Sequence, residues 1–103
     1  MNNKSLHQLQ ELMVDQLKKR GYYPKDDKEV LLRLGEEVGE VFEAVRENQS
    51  KEDLSHEIVD VLWNLLRLCE LKNIDIESAF LEKLKINESR PLEKEVTDIS
   101  QNS

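Results

Sequence analysis

Two consecutive segments carry apolar residues at helical spacing, and acidic residues border both apolar stripes. In roughly residues 26 to 48, Leu34, Val38 and Val41 fall on one side of a helix that turns about 100° per residue. Roughly residues 51 to 72 repeat the pattern. We predict two amphipathic helices whose core-facing stripes are Leu31, Leu34, Val38, Val41, Phe42 and Val45 in the first, and Leu54, Ile58, Val61, Leu65, Leu68 and Cys69 in the second.

The acidic residues form one group on each of these predicted helices. Glu37 lies at the border of the first stripe, Glu40 follows one turn later, and Glu36 stacks on Glu40 at i,i+4. On the next helix Glu57 lies at the stripe edge, and Asp60 follows three residues later on the same side. If a short turn at residues 48 to 50 makes the helices antiparallel, both groups face one cleft.

Carboxylates gathered in one cleft repel one another. Two of them about 4 Å apart repel by roughly 4 kcal/mol at an effective dielectric constant of 20, whereas charge pairs along a helix surface return only about 0.2 to 0.5 kcal/mol. A bound cation offsets this repulsion, and oxygen ligands without Cys or His favour Mg²⁺, Mn²⁺ or Ca²⁺. Because 22 of the 103 residues are acidic, two solvated faces that bind no metal are the alternative.

Length and charge limit the class of protein. A chain of 103 residues allows one domain with a modest core. The net charge of −7 argues against unaided binding to a nucleic acid polymer or an acidic membrane. No apolar run approaches the roughly 20 residues of a membrane span, and the first residues lack a signal-peptide core, so we expect a cytoplasmic protein.

Capping signals divide the chain into four helices. Ser5-x-x-Gln8 resembles a capping box for a first helix that stops at Gly21, and Asp26 and Ser50 open the next two. Strand-like alternation is missing from the sequence, so we predict an all-α four-helix bundle over residues 1–90 and a flexible polar tail over residues 91–103. The fourth helix, capped by Asp75, is expected to point Ile76, Ala79, Phe80 and Leu84 inward.

The third helix has more apolar surface than one neighbour can cover. Val59, Trp63 and Leu66 lie opposite its main stripe. A second copy of the chain would cover them and complete the core by homo-oligomerisation. The alternative is that the first or fourth helix covers them within the same chain.

Three blocks of this sequence resemble MazG-like nucleotide pyrophosphohydrolases. The blocks are LGEEVGEVFEAV at 34 to 45, HEIVDVLWNLL at 56 to 66 and EKLKINESRP at 82 to 91, in the family's order. The resemblance implies an all-α homodimer or homotetramer that uses Mg²⁺, or Mn²⁺, to hydrolyse nucleoside triphosphates to monophosphate and pyrophosphate. Such an enzyme would act on non-canonical or surplus nucleotides.

The resemblance also implies roles for individual residues. Lys83 and Asn87 form an i,i+4 pair that could offer a cation and an amide to phosphate oxygens, although a solvated charge is the alternative for Lys83. An amide at Asn64, among apolar positions, needs hydrogen-bond partners. The implied set is Glu37, Glu40, Glu57 and Asp60 as metal ligands, Glu36 as catalytic base or further ligand, Lys83, Asn87 and Arg90 near the phosphates, and Asn64 with Tyr22 or Tyr23 near the base.

Hydrolysis would then proceed by direct attack of water on the α-phosphorus, because no Ser, Cys or His is placed as an activated nucleophile.

Two other functions remain open. Phosphoribosyl-ATP pyrophosphohydrolase shares a similar Glu-Glu-x-x-Glu helix. A non-catalytic helical interaction module would carry the same acidic residues as solvated faces.

Overall fold

The computed structural model describes residues 3–21 and 26–90, which form four α-helices without a strand. The predicted all-α fold is therefore confirmed for this part of the chain. Tyr22 and Tyr23, and the predicted tail at 91–103, lie outside the described residues. None of the helices described is both long and apolar enough to cross a membrane. Their bounds are Leu6–Lys19 for α1, Asp27–Arg46 for α2, Lys51–Leu71 for α3 and Ile76–Glu88 for α4.

Each helix begins at the capping residue that the sequence predicts. Ser5 Oγ accepts a hydrogen bond from the Gln8 backbone N–H at 3.1 Å, and Gln8 Oε1 accepts one from the Ser5 N–H at 2.8 Å. The side chains of Asp26, Ser50 and Asp75 each accept a backbone N–H in the first turn of α2, α3 and α4. These caps satisfy donors that a helix N-terminus leaves free, so local sequence fixes the helix starts.

Asparagines in a left-handed conformation end α2 and α3. Asn48 has φ of 53° and Asn73 has φ of 55°. The Asn48 N–H donates to the Val45 carbonyl at 3.2 Å, and the Gln49 N–H donates to the Ala44 carbonyl at 3.0 Å. The same pair of bonds closes α3, as in a Schellman motif. The turn after α2 is consequently short and reverses the chain.

Helices α2 and α3 form an antiparallel hairpin. Near the turn, the carboxylates of Glu40 and Glu57 lie side by side. At the open end, Lys72 Nζ contacts Asp27 Oδ2 at 2.9 Å. We call the line of contact between these two helices the α2–α3 seam.

A small apolar core lies between α1 and α3. Trp63 and Leu66 thus pack within the same chain, whereas Val59 stays 48% exposed. Intramolecular packing, the alternative to a second copy, covers two of the three residues on that side of α3. The core comprises Met13, Val14, Leu17 and Leu66, with Trp63 and Ile76 packed against it.

The most deeply buried residues of α2 lie beside the predicted apolar stripe and not within it. Val30 and Ala44 are 0% and 1% exposed, although neither belongs to the predicted stripe. Leu31, Phe42 and Val45 are 50%, 70% and 58% exposed. One neighbouring helix covers only a narrow strip, and the small Ala44 lets α3 approach closely along it. Leu34, Val38 and Val41 of the predicted stripe are half-buried, whereas Leu31, Phe42 and Val45 are uncovered in a single chain.

Several apolar residues of α3 and α4 that the sequence predicts to face the core are exposed. Cys69 is buried as predicted, but Ile58 and Leu65 are 51% and 40% exposed. On α4 only Ile76 packs against the core, because this helix contacts α1 near its own N-terminus. Other residues that were predicted to point inward from α4 are exposed, namely Ala79, Phe80 and Leu84.

Candidate metal centre

Three carboxylates converge at the turn end of the α2–α3 seam. Glu37 and Glu40 lie on adjacent turns of α2, and Glu57 faces them from α3. One oxygen from each lies within 4.8 Å of the other two. The structure therefore brings together three of the four residues that the sequence suggests as metal ligands. An all-oxygen set of this kind suits a hard cation such as Mg²⁺, Mn²⁺ or Ca²⁺.

Glu57 has an oxygen that protein atoms do not satisfy. Its Oε2 is buried without a hydrogen-bond partner. Burial, followed by the neighbouring Glu40 carboxyl group, raises the pKa of Glu57. A buried acceptor without a donor is unfavourable. A divalent cation would satisfy this oxygen, so the residues fit a metal.

The charge around Glu37 shows that the cluster is strongly acidic. Burial is the main cause that raises the pKa of Glu37, and the negative charges of Asp60, Glu40 and Glu36 raise it further. Arg33, one turn earlier on α2, opposes them. Among the described residues, no lysine or arginine forms an ion pair with Glu37, Glu40 or Glu57.

Asp60 and Glu36 lie at the margin of the cluster. Both are exposed, and neither belongs to the group of three close oxygens. The carboxylate of Asp60 nevertheless raises the pKa of both Glu37 and Glu57, so it is within electrostatic range of the centre. Their roles as metal ligand and catalytic base stay predictions.

Asn64 is buried and has partners within its own helix. It is 5% exposed, its Nδ2 donates to the Asp60 carbonyl at 2.9 Å, and its Oδ1 accepts from Arg67 Nη1 at 3.1 Å. Each end of the amide thus has one partner and keeps one further N–H donor or lone pair. The predicted contact of Asn64 with a nucleobase stays a prediction.

The phosphate-binding residues predicted on α4 do not join the cluster within one chain. Lys83, Asn87 and Arg90 are exposed on, or directly after, a helix that packs against α1, while the carboxylates lie between α2 and α3. Their predicted roles remain untested, as do those of Tyr22 and Tyr23, which lie outside the described residues.

Two polar residues, Gln10 and Arg67, are buried although the sequence analysis assigns them no role. Arg67 is 8% exposed, and a cation seven residues after Asp60 in an apolar run was the available signal. Gln10 is 6% exposed and lies one turn before Met13, in the position of an apolar residue. In both cases the signal was a polar residue at a helical core position.

Gln10 joins α1 to the start of α4. Its Oε1 accepts a hydrogen bond from the Ile76 N–H at 3.1 Å. Its Nε2 donates to the Ile74 carbonyl at 3.0 Å and to Glu70 Oε2 at 3.2 Å. This side chain therefore docks the start of α4, which Asp75 caps, against α1.

This chain is similar in sequence to several phosphoribosyl-ATP pyrophosphatases. The chain is 35% identical over 75 residues to a phosphoribosyl-ATP pyrophosphatase of Clostridium tetani, covering 73% of this chain and 68% of that protein. It is 39% identical over 66 residues to a protein of the same name from Clostridium acetobutylicum, covering 64% and 59%. A third relative with this name, from Haloarcula marismortui, is 35% identical over 63 residues, covering 61% and 63%.

The chain thus spans about three fifths to two thirds of the length of these relatives. No solved structure gave a significant match. A family model, that of the MazG nucleotide pyrophosphohydrolase domain, matches residues 25–91, which include α2, α3, α4 and all three converging carboxylates. The chain belongs to the MazG nucleotide pyrophosphohydrolase family.

Proposed function

We propose that this protein is a metal-dependent pyrophosphohydrolase that cleaves the bond between the α- and β-phosphates of a nucleotide. The observation that carries the proposal is the convergence of Glu37, Glu40 and Glu57 around a buried oxygen without a partner. Membership of the MazG family supports the reaction class.

In the proposed site, Glu37, Glu40, Glu57 and Asp60 would hold Mg²⁺ or Mn²⁺. A divalent cation there would offset phosphate charge and lower the pKa of a bound water. Glu36, on the solvent side of α2, accepts the proton of the attacking water. The water oxygen bonds to the α-phosphorus, the bridging α–β bond breaks, and the bridging oxygen leaves with pyrophosphate.

Two substrate classes are compatible with this cleavage. The first is a ribo- or deoxyribonucleoside triphosphate, as the three sequence blocks suggest. The second is phosphoribosyl-ATP, which the names of the relatives favour. Both contain the same triphosphate and release the same pyrophosphate, so the proposed roles of the carboxylates are identical for both.

We also propose that the protein acts as a homodimer or homotetramer. Large apolar side chains on α2 and α3 are uncovered in a single chain, and such patches mark interaction surfaces. In such an assembly, the exposed Lys83 and Asn87 of one copy could lie near the carboxylate cluster of another copy. The uncovered side chains include Leu31, Phe42, Val45, Ile58 and Leu65.

Pyrophosphate release from a substrate panel tests the proposed activity. The panel contains canonical and modified nucleoside triphosphates and phosphoribosyl-ATP, each with Mg²⁺ and with a chelator in its place. We expect one pyrophosphate per substrate with Mg²⁺ and none with chelator. Release of inorganic phosphate would mean attack at the γ-phosphorus and would contradict the proposal, as would no turnover of any substrate.

A further inference from the structure

Arg67 is a buried cation without an acidic partner among the described residues. It is 8% exposed, and no carboxylate of the described residues lies within 4.0 Å of its guanidinium group. Its Nη1 donates to Asn64 Oδ1, and its Nε is buried with no hydrogen-bond partner. A buried charge without a partner is strongly unfavourable, so this arrangement calls for an anion.

A second arginine adds to the positive charge at this place. Arg33 on α2 is exposed, and after burial its charge is the next cause that lowers the pKa of Arg67. Glu29 opposes this effect but is not within ion-pair distance of Arg67. Arginine stays protonated in proteins even so. Arg33 is therefore within electrostatic range of Arg67, and both arginines lie on the open-end side of the acidic cluster along the α2–α3 seam.

The arginines and the acidic cluster lie on the same face of the hairpin. Arg67 follows Asp60 by seven residues, which places it two turns, or about 10 Å, along one face of α3. Arg33 precedes Glu37 by one turn of α2. Asn64 links the two regions, because it bonds both the Asp60 carbonyl and Arg67. The acidic cluster and the two arginines consequently occupy neighbouring stretches of the seam, with the arginines nearer its open end.

We propose that Arg67 and Arg33 form a phosphate subsite for the substrate, separate from the carboxylates of the metal centre. The planar guanidinium group presents paired donors that match phosphate oxygens. That the phosphate belongs to a nucleotide rests on the proposed function; the presence of an anion subsite does not. The phosphate is either the outer group of the triphosphate or an additional phosphate elsewhere on the nucleotide.

Binding of pyrophosphate to metal-free protein tests the subsite directly. The full chain is melted in a chelator with increasing sodium pyrophosphate, together with the variants Arg67→Met, Arg67→Lys and the control Arg46→Met. Arg46 is an exposed arginine near the end of α2, beside Glu47. We expect pyrophosphate to raise the melting temperature of the wild type and of the control variant. The rise should be smaller for Arg67→Lys, and Arg67→Met should show none.

An equal rise in Arg67→Met and wild type, or no rise in wild type, would overturn the subsite. Since the chelator removes divalent ions and no turnover is measured, this result is independent of the metal centre. A fall in oligomer size in Arg67→Met, with pyrophosphate binding unchanged, would overturn it too, because the arginine would then pair with an acid of another copy. If Arg67→Met does not fold, Arg33→Met takes its place, since Arg33 is exposed.

Steady-state kinetics identifies which phosphate is bound. Loss of a charge-assisted hydrogen bond should raise KM about ten- to hundredfold in Arg67→Met, with a smaller change in kcat. If KM rises for ordinary triphosphates and for phosphoribosyl-ATP, Arg67 binds the triphosphate. If KM rises for phosphoribosyl-ATP alone, Arg67 binds the additional phosphate of that substrate. An unchanged KM for every substrate that is turned over would contradict a substrate subsite.

Discussion

Glu57 keeps a buried oxygen without a hydrogen-bond partner, while its carboxylate lies within 4.8 Å of that of Glu40 on the facing helix. After burial, the neighbouring Glu40 carboxyl group is the next cause that raises the pKa of Glu57. Protons and divalent cations therefore compete for the same oxygens. The stability of the metal-free protein should reveal this competition before any substrate is known.

Metal-free protein should become less stable as the pH rises above 4.5. The pKa values of Glu37 and Glu57 are raised above the ordinary 4.5, so the stability they contribute is complete below 4.5 and is lost as the pH rises through their folded values. His7, whose pKa is raised from 6.5 by Asp75, adds a further loss above 6.5. Melting temperature measured in a chelator checks this trend.

Added Mg²⁺ or Mn²⁺ should reverse most of the loss at pH 8, and its effect should weaken as the pH falls, because the metal binds deprotonated carboxylates. His7→Asn serves as the control: it should remove only the part of the decline above pH 6.5 and keep the metal response. Equal melting with and without metal at pH 8 would favour solvated acidic faces and the non-catalytic interaction module.

Replacing single carboxylates should separate catalysis from folding. We expect Glu40→Gln and Asp60→Ala to reduce pyrophosphate release at least about a hundredfold, since a metal supplies several kcal/mol of charge stabilisation. Without metal, both variants should be as stable as wild type or more so, because a repelling charge is gone. Glu82→Gln, an exposed change on α4, is the matched control. Wild-type turnover in Glu40→Gln would remove Glu40 from the site.

The helices and their starts could be predicted because their causes are local. The capping side chain of Ser50 lies three residues from the N–H that it accepts, and apolar spacing is legible within each helix. The approach of Glu57 to Glu37 was predictable for the same reason, since only a short turn separates their helices. Sequence and structure therefore agree best at the turn end of the hairpin.

Features that depend on distant segments could not be predicted. Which side of α2 is buried depends on how the other helices pack against it, and in this fold Ala44 is buried whereas Phe42 is exposed. The bonds from Gln10 to the start of α4 join residues more than 60 positions apart. Where α4 docks, and hence where Lys83 points, followed from those contacts rather than from helical periodicity.

Gln10→Leu should destabilise the protein by about 1 to 3 kcal/mol. The substitution keeps the apolar stripe of α1 but leaves the Ile76 N–H and the Ile74 carbonyl without their partner. Urea unfolding followed by the fluorescence of Trp63, the single tryptophan, measures the change. Gln16→Leu, at an exposed position of α1, should have little effect. If both variants unfold at the same urea concentration, Gln10 contributes no net stability.

Phe42→Glu should shift the protein toward smaller species. Phe42 is 70% exposed and continues an apolar face with Val45, so a second copy that covers it would gain about 1.5 to 3 kcal/mol from this side chain. Its loss should raise the dissociation constant at least about tenfold, and more in a twofold interface that uses the residue twice. Sedimentation over a range of concentrations measures this.

Gln16→Glu makes the same change in charge on an exposed polar position of α1 and should leave the association unchanged. Wild-type protein that sediments as a monomer at every concentration would contradict the proposed oligomer. In that case Lys83 and Asn87 would have to reach the metal centre of their own chain, which their place on a helix packed against α1 makes difficult. The oligomeric state therefore also decides whether the predicted phosphate contacts on α4 can form across two copies.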